Sequence, residues 1–257
     1  MSRVFVFGII FISSFFEKTA CDLVSTNSYL CQLNSSYSLC TEYNNLNIKI
    51  RDGKIEKSVA QREMQILLPK LKIYYFQHRG KIIPQSDWVF PVQGYDFRAV
   101  GGKNGNGYTD VGYDFFDGNK HLAHPAQDIF IMDRNQDNFE DISKKRVNVL
   151  SVSGGIVIAK ENNWDSTSDL RGGKFIWIYD PTFNSLFYYA HNSRILVALC
   201  QIINPGDTIA TIGRSGLSAF KKRSPTHLHF MQLNLDGVYH PKPINCYQKL
   251  RYSRTKL

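Results

Sequence analysis

Ser224-Pro225-Thr226-His227-Leu228-His229-Phe230 is the stretch from which the rest of the chain is best read. Pro and Ser lead into an alternating apolar run that continues to Leu235. In a β-strand, side chains at i and i+2 share a face. His227 and His229 then project together, and Leu228 and Phe230 turn to the opposite side. Two imidazoles on one rigid face can ligate a metal and serve a reaction at it, although the pair alone is equally compatible with two satisfied histidines.

Working outward, the same half of the chain alternates short β-type runs with turn signals. Asp128 to Ile131, Val147 to Val152, Ile156 to Ala159, Phe175 to Tyr179, Leu186 to His191 and Thr208 to Ile212 read as strands. Gly154-Gly155, Gly172-Gly173, Asp180 to Asn184 and Asn204-Pro205-Gly206-Asp207 lie between them as turns. This pattern predicts a mainly β, antiparallel sheet or sandwich-like domain over residues 88–250, followed by a basic tail over 251–257. Upstream, residues 21–87 read as a small extension. It is rich in Ser, Asn and Thr as far as about Asn47, has one short helix from Glu56 to Leu68 that Pro69 ends, and then a strand from Lys72 to Phe76.

The first twenty residues read as a secretory signal peptide. Arg3 precedes a nearly all-apolar run from Val4 to Phe16, too short for a membrane span of about 20 residues. Cys21 follows Ala20, where cleavage would expose it as in a lipoprotein, so the expected location is the periplasm, cell envelope or exterior, with a lipid at Cys21 as the only membrane link. Four further cysteines suit an oxidising compartment: Cys31, Cys40, Cys200 and Cys246. Cys31 with Cys40 is the pairing close in sequence, which would leave Cys200 with Cys246, but spacing does not decide the connectivity. The net charge of +9 comes from scattered Lys and Arg with no nucleic-acid-binding motif beside them. A solvated basic surface is therefore expected, and no nucleic-acid partner.

Two other histidine segments carry chemistry. His124-Pro125-Ala126-Gln127-Asp128 sets an imidazole and a carboxylate four apart, and Tyr188-Tyr189-Ala190-His191 ends an aromatic strand on which alternation groups Phe187, Tyr189 and His191. Catalytic zinc takes three protein ligands from His, Asp or Glu and keeps a fourth position for water. Other histidines near that water can act as base or stabilise an oxyanion.

The ordered set His124-x-x-x-Asp128, Tyr189-Ala190-His191 and His227-Leu228-His229 resembles the LytM/lysostaphin-type zinc metallopeptidases, peptidase family M23. The connecting segments resemble the family too: Ser153 to Val157, Gly173 to Ile178, and Pro205 to Ile209 followed by Gly213-Arg214-Ser215-Gly216. The likeness spans roughly Trp88 to Tyr247. It implies a largely antiparallel β-fold with the site in a groove. His124, Asp128 and His229 would ligate one Zn²⁺, and His191 and His227 would flank the water as base and transition-state stabiliser. It further implies an exported endopeptidase whose substrate is the peptide of bacterial peptidoglycan. The alternative is a non-catalytic LytM-type module that binds the wall or activates another hydrolase, against which all five intact positions argue. Two departures stand out: Ala126 where the family has Gly, and Cys200 where a Gly is common.

Other candidates carry less. His121, His78 and His240 read as surface positions. Asp133 to Asp137 begins like a calcium loop, but Asn138 and Lys144 replace the Gly and Glu that an EF-hand needs, so a solvated turn is expected. Ser215 lacks the strand-to-helix elbow of a serine hydrolase.

Overall fold

Strand β9 (His227–Leu235) is buried along nearly its whole length and is paired on both edges. The structure, a computed structural model, describes residues 39–120 and 123–257. The signal segment 1–20, Cys21, Cys31 and His121 lie outside the described residues. Residues Leu39–Leu257 form one compact unit.

On one edge of β9, β1 (Gln127–Phe130) pairs with its first half and β10 (Pro241–Ile244) with its second, both antiparallel. On the other edge the sheet continues through β5 (Ser185–Ala190), β4 (Phe175–Asp180), β3 (Gly155–Glu161) and β7 (Ile202–Ile203). A second, three-stranded sheet has the order β2 (Asn148–Leu150), β8 (Thr208–Ile212), β6 (Asn192–Ile195). The period-two alternation sorts the large sheet's side chains into two cores. Ile176, Ile178, Phe187, Tyr189, Leu228 and Phe230 meet Val149, Ile209 and Ile212 of the small sheet. Phe175, Trp177, Leu186, Met231 and Leu233 face the opposite way and are covered by helices. His227 and His229 share the parity of Met231 and Leu233, so they stand on the helix-covered face.

That covering layer corrects the expectation for the extension. Residues 39–51 are helical (α1) rather than loop, and bury Cys40, Tyr43, Leu46 and Ile50. Helix α2 runs over Lys57–Gln77 with Pro69 inside it, so the predicted stop at Leu68 and the predicted strand from Lys72 to Phe76 both give way to helix. An interior Pro costs a helix about 3 kcal/mol. Here Ala60, Met64, Leu67, Leu68, Leu71 and Tyr75 continue one buried stripe across it, and that burial outweighs the lost hydrogen bond. A short helix, α3 (Tyr247–Arg251), follows β10. The architecture is thus two antiparallel sheets with a helical layer, more mixed than the mainly β reading.

The cysteine pairing also differs from expectation: Cys40 is bonded to Cys200, and Cys246 is a buried free thiol. The bond joins α1 to the turn between β6 and β7. Cys200 adopts φ +61°, a left-handed conformation that favours glycine. This accounts for a turn at which glycine is common, and here the side chain serves as a tether.

Asp180, at the end of β4, is fully buried, and its Oδ1 accepts from the amide of Thr182 at 2.8 Å. Burial pushes its carboxyl up to about 6. Its ordinary value is about 3.9, so the folded state holds the proton more tightly, and this group's contribution to stability falls as pH rises from about 4 to about 6. Asp180→Asn is expected to stabilise the protein by about 2–3 kcal/mol at pH 7 and by little at pH 4. Urea denaturation of both proteins at the two pH values checks this.

Candidate metal centre

The antiparallel register of β1 and β9 sets Asp128 opposite His229, so strand pairing alone brings the carboxylate beside the imidazole. Asp128 Oδ1 lies 2.9 Å from His229 Nδ1. His124, four residues upstream in a bridge to Thr109, has Nε2 3.2 Å from the same carboxylate. One ligand atom from each of His124, Asp128 and His229 can be chosen so that all lie within 4.8 Å of one another.

His227 and His191 complete the cluster. The His227 ring lies 4.8 Å from that of His191, and the His191 ring 5.5 Å from that of His229. His227 Nε2 is 3.8 Å from Asp128 Oδ1. His191 does not arrive by the alternation expected of β5. The strand ends at Ala190, and Phe187 and Tyr189 point into the inter-sheet core. His191 itself has φ +65°, and this left-handed step turns its ring towards His227. The turn is held tightly. The His191 amide donates to Gly172 O at 3.0 Å. Gly216 lies so close that a Cβ there would meet Arg171 O at 2.3 Å and His191 Nδ1 at 2.9 Å.

Backbone carbonyls set the tautomers. His124 Nδ1 faces Gly107 O at 3.0 Å, His191 Nδ1 faces Ser215 O at 2.8 Å, and His227 Nδ1 faces Pro225 O at 2.7 Å. A carbonyl oxygen only accepts, so each of these Nδ1 atoms donates; the Nε2 of His191 and of His227 then keeps its lone pair for the groove, while the Nε2 of His124 faces Asp128. Such outer contacts are the usual means of orienting ligating and catalytic imidazoles.

The charges agree with a cation site. Burial would raise the Asp128 carboxyl, but the hydrogen bonds with His124 and His229 and the charges of His229 and His227 hold it well below the carboxylate range. Burial lowers His229, with Asp128 opposing. Burial lowers His191 strongly, and His227 and His229 add to this. The hydrogen bond to Asp128 raises His124. An ionised carboxylate and imidazole lone pairs are the forms that bind metal. Two nitrogens and one oxygen, half-buried, suit a catalytic zinc that keeps an open position.

Residues 140–241 match the family model described as Peptidase family M23. Over that span the chain is similar to the M23 peptidases. The matched span holds His191, His227 and His229 and begins after His124 and Asp128; the pairing of β1 with β9 carries Asp128 to the matched histidines. Comparison with curated proteins yields no match. Among solved structures, lytM of Ruminococcus gnavus is similar at 23% identity, over 79% of this chain and 75% of that one, with a TM-score of 0.44. The antimicrobial peptidase lysostaphin of Staphylococcus simulans is similar at 21% identity, over 47% of this chain and 41% of its own length, with a TM-score of 0.32. A zinc-containing peptidase of Vibrio cholerae is similar at 18% identity, over 65% and 40%, with a TM-score of 0.38.

Of the weaker candidates, His78 is exposed and stacks on Tyr74 at 3.8 Å, and His240 is half-buried beside Gln61 rather than on the surface. Ser215 Oγ donates to Asn192 O and receives the Lys174 amide, a structural role. Asp133 is buried, not solvated. It accepts from the amides of Asp137 and Asn138 and, at 2.7 Å, from the hydroxyl of Thr226, the residue before His227.

Arg214 carries a role that the motif reading missed. Its guanidinium is buried and donates to Thr226 Oγ1 at 3.3 Å, to Lys221 O at 2.9 Å and to Ser224 O. It ties the groove-rim loop before β9 to the base of the strand that carries His227 and His229. Only the run of carbonyls folded around it distinguishes it from a surface arginine, and the sequence holds no mark of that. Arg214→Met leaves these acceptors buried and should lower stability by about 2–4 kcal/mol with zinc content retained. Arg214→Lys should restore little, because the fork is lost. Denaturant melts with metal analysis test both.

Proposed function

We propose that this chain is an exported zinc metalloendopeptidase that hydrolyses peptide bonds of bacterial peptidoglycan. The observation that carries the reading is the convergence of His124, Asp128 and His229 as one ligand set, with His191 and His227 beside it, in a single groove. The proposed peptidase domain spans residues 88–250, preceded by an extension over 21–87 and a cleaved signal segment over 1–20. Among the described residues, no helix is long and apolar enough to cross a membrane, and a disulfide is present.

In this proposal His124 Nε2, a carboxylate oxygen of Asp128 and His229 Nδ1 hold the metal. Zinc bound there supplies a Lewis acid that acidifies water and polarises a carbonyl oxygen. His191 and His227 present Nε2 lone pairs, so either can take a proton from the attacking water and return it to the leaving amine. The imidazole that is not acting as base is placed to donate to the developing oxyanion once protonated. The Nδ1–carbonyl bonds fix both rings through the reaction, and the ordering is done before substrate arrives.

The test is digestion of purified peptidoglycan by the zinc-loaded protein, with the released fragments identified by mass spectrometry. New amino and carboxyl ends in the peptides support the reading, and chelation followed by zinc should switch them off and on. Unchanged peptidoglycan under zinc-replete conditions would overturn it.

A further inference from the structure

Helix α2 buries one stripe, and the side opposite that stripe is not polar. At 3.6 residues per turn, Ile66 and Ile73 fall on one line facing away from Met64, Leu68, Leu71 and Tyr75. They are 56% and 57% exposed, and Phe76, on the flank of that line, is 40% exposed. Lys70 falls on the other flank, and Lys72 lies beyond Phe76. Ile82, 74% exposed, follows the end of the helix. Single apolar residues on a surface need no explanation, but four large ones on one helix and its C-terminal turn do.

That turn is fixed in place. The amides of His78 and Gly80 donate to Tyr75 O at 3.3 and 2.9 Å. Tyr75 Oη donates to Lys81 O at 2.8 Å, and Ile83 is buried just after it. Arg79, Lys81 and Ile82 are therefore held against the helix end. From Met64 to Ser86 the chain carries Lys70, Lys72, Arg79 and Lys81 and no Asp or Glu. Among the described residues, none of these four forms a side-chain ion pair, whereas Lys54 and Lys57, just upstream, pair with Asp52 and Asp114.

Unmatched cations around an exposed apolar line are the make-up of a helix that lies on a bilayer. The apolar groups enter the boundary between headgroups and acyl chains, and the lysine stems reach back to anionic phosphates. A soluble polyanion would satisfy the lysines and leave Ile66, Ile73 and Phe76 in water; a bilayer satisfies both. We propose that the outer face of α2 and its C-terminal turn rest on a membrane surface rich in anionic phospholipid. The contact is peripheral and reversible, and it adds to the lipid expected at Cys21, because one weak anchor alone binds only marginally. It goes beyond the reading of the metal centre and does not depend on it.

The test is co-sedimentation with vesicles. The protein used lacks its first twenty residues and carries Cys21→Ser, so neither leader nor lipid contributes and every described residue is kept. Vesicles of phosphatidylglycerol and phosphatidylcholine in equal parts should bind it at least about 10-fold more tightly than phosphatidylcholine alone, and salt should shrink the difference. Lys70→Glu/Lys72→Glu should weaken that binding at least about 10-fold, since each basic residue at such a surface contributes roughly fivefold. Ile66→Ser/Ile73→Ser should weaken it at least about 10-fold as well, with unchanged circular dichroism because both positions are exposed. Lys221→Glu/Lys222→Glu makes the same change of net charge on the groove rim and should bind like the parent protein. Equal binding to the two kinds of vesicle, or equal weakening by the two charge variants, overturns the proposal. Polyphosphate bound as tightly as the anionic vesicles, with the isoleucine pair without effect on either, overturns it in favour of a soluble anionic polymer.

Discussion

His229→Ala is expected to strip the protein of zinc and of activity together. Its Nδ1 is the group that meets Asp128 most closely, at 2.9 Å, and its strand pairs with β1, β10 and β5. Loss of an outer partner of a zinc ligand costs about 10–100-fold in affinity or rate, and loss of one of three ligands should exceed that. The fold should survive, because His229 is half-buried at the groove and the apolar side of β9 is untouched. His227→Ala is the matched control. Its ring lies outside the three-residue ligand set, so zinc should remain while turnover falls by about 10²–10⁴-fold. Metal content by mass spectrometry, beside peptide hydrolysis, separates the two outcomes. A fully active His229→Ala protein would refute the ligand assignment, and loss of zinc from His227→Ala would move that residue into the ligand set.

Removal of the disulfide should produce the largest loss of stability. Cys40 and Cys200 are 160 residues apart in sequence. In the chain-entropy view, closing so long a loop restricts the unfolded state by about 5 kcal/mol, a large share of the stability of an ordinary domain. The Cys40→Ala/Cys200→Ala protein should therefore unfold at much lower denaturant, and the wild-type protein should behave the same way once reduced. The damage should begin in α1, because the bond is its covalent link to the turn between β6 and β7. Hydrogen exchange should show α1 amides opening before those of β9. If the double variant and the oxidised wild type share one midpoint, the bond contributes nothing to folding.

Much of the site was legible because its logic is local. His-x-His on an alternating run gives two imidazoles on one face whatever surrounds it, and His124 and Asp128 already stand at the lip and start of a strand. The strands from Asp128 to Leu235 were legible for the same reason, as β-branched and aromatic runs between Gly and Pro turns. The extension was harder. Pro69 is a strong local stop signal, and only the buried stripe from Ala60 to Tyr75 overrules it. Residues 39–51 have the apolar spacing of a helix in Tyr43, Leu46 and Ile50, but the Ser and Asn around them mask it.

The sequence by itself determined the chemical inventory of this protein: four imidazoles and a carboxylate for a metal site and its flanking groups, and strands to carry them. The tertiary structure alone decided that His191 reaches the cluster through a left-handed step, that Cys40 pairs with Cys200, that Arg214 is buried under the rim loop, and that α1 closes the groove. Periodicity fixes which side chains share a face, since it depends only on neighbours along the chain. Which distant segments meet depends on how two cores are filled at once, and neither core is visible until both sheets and the helical layer are in place.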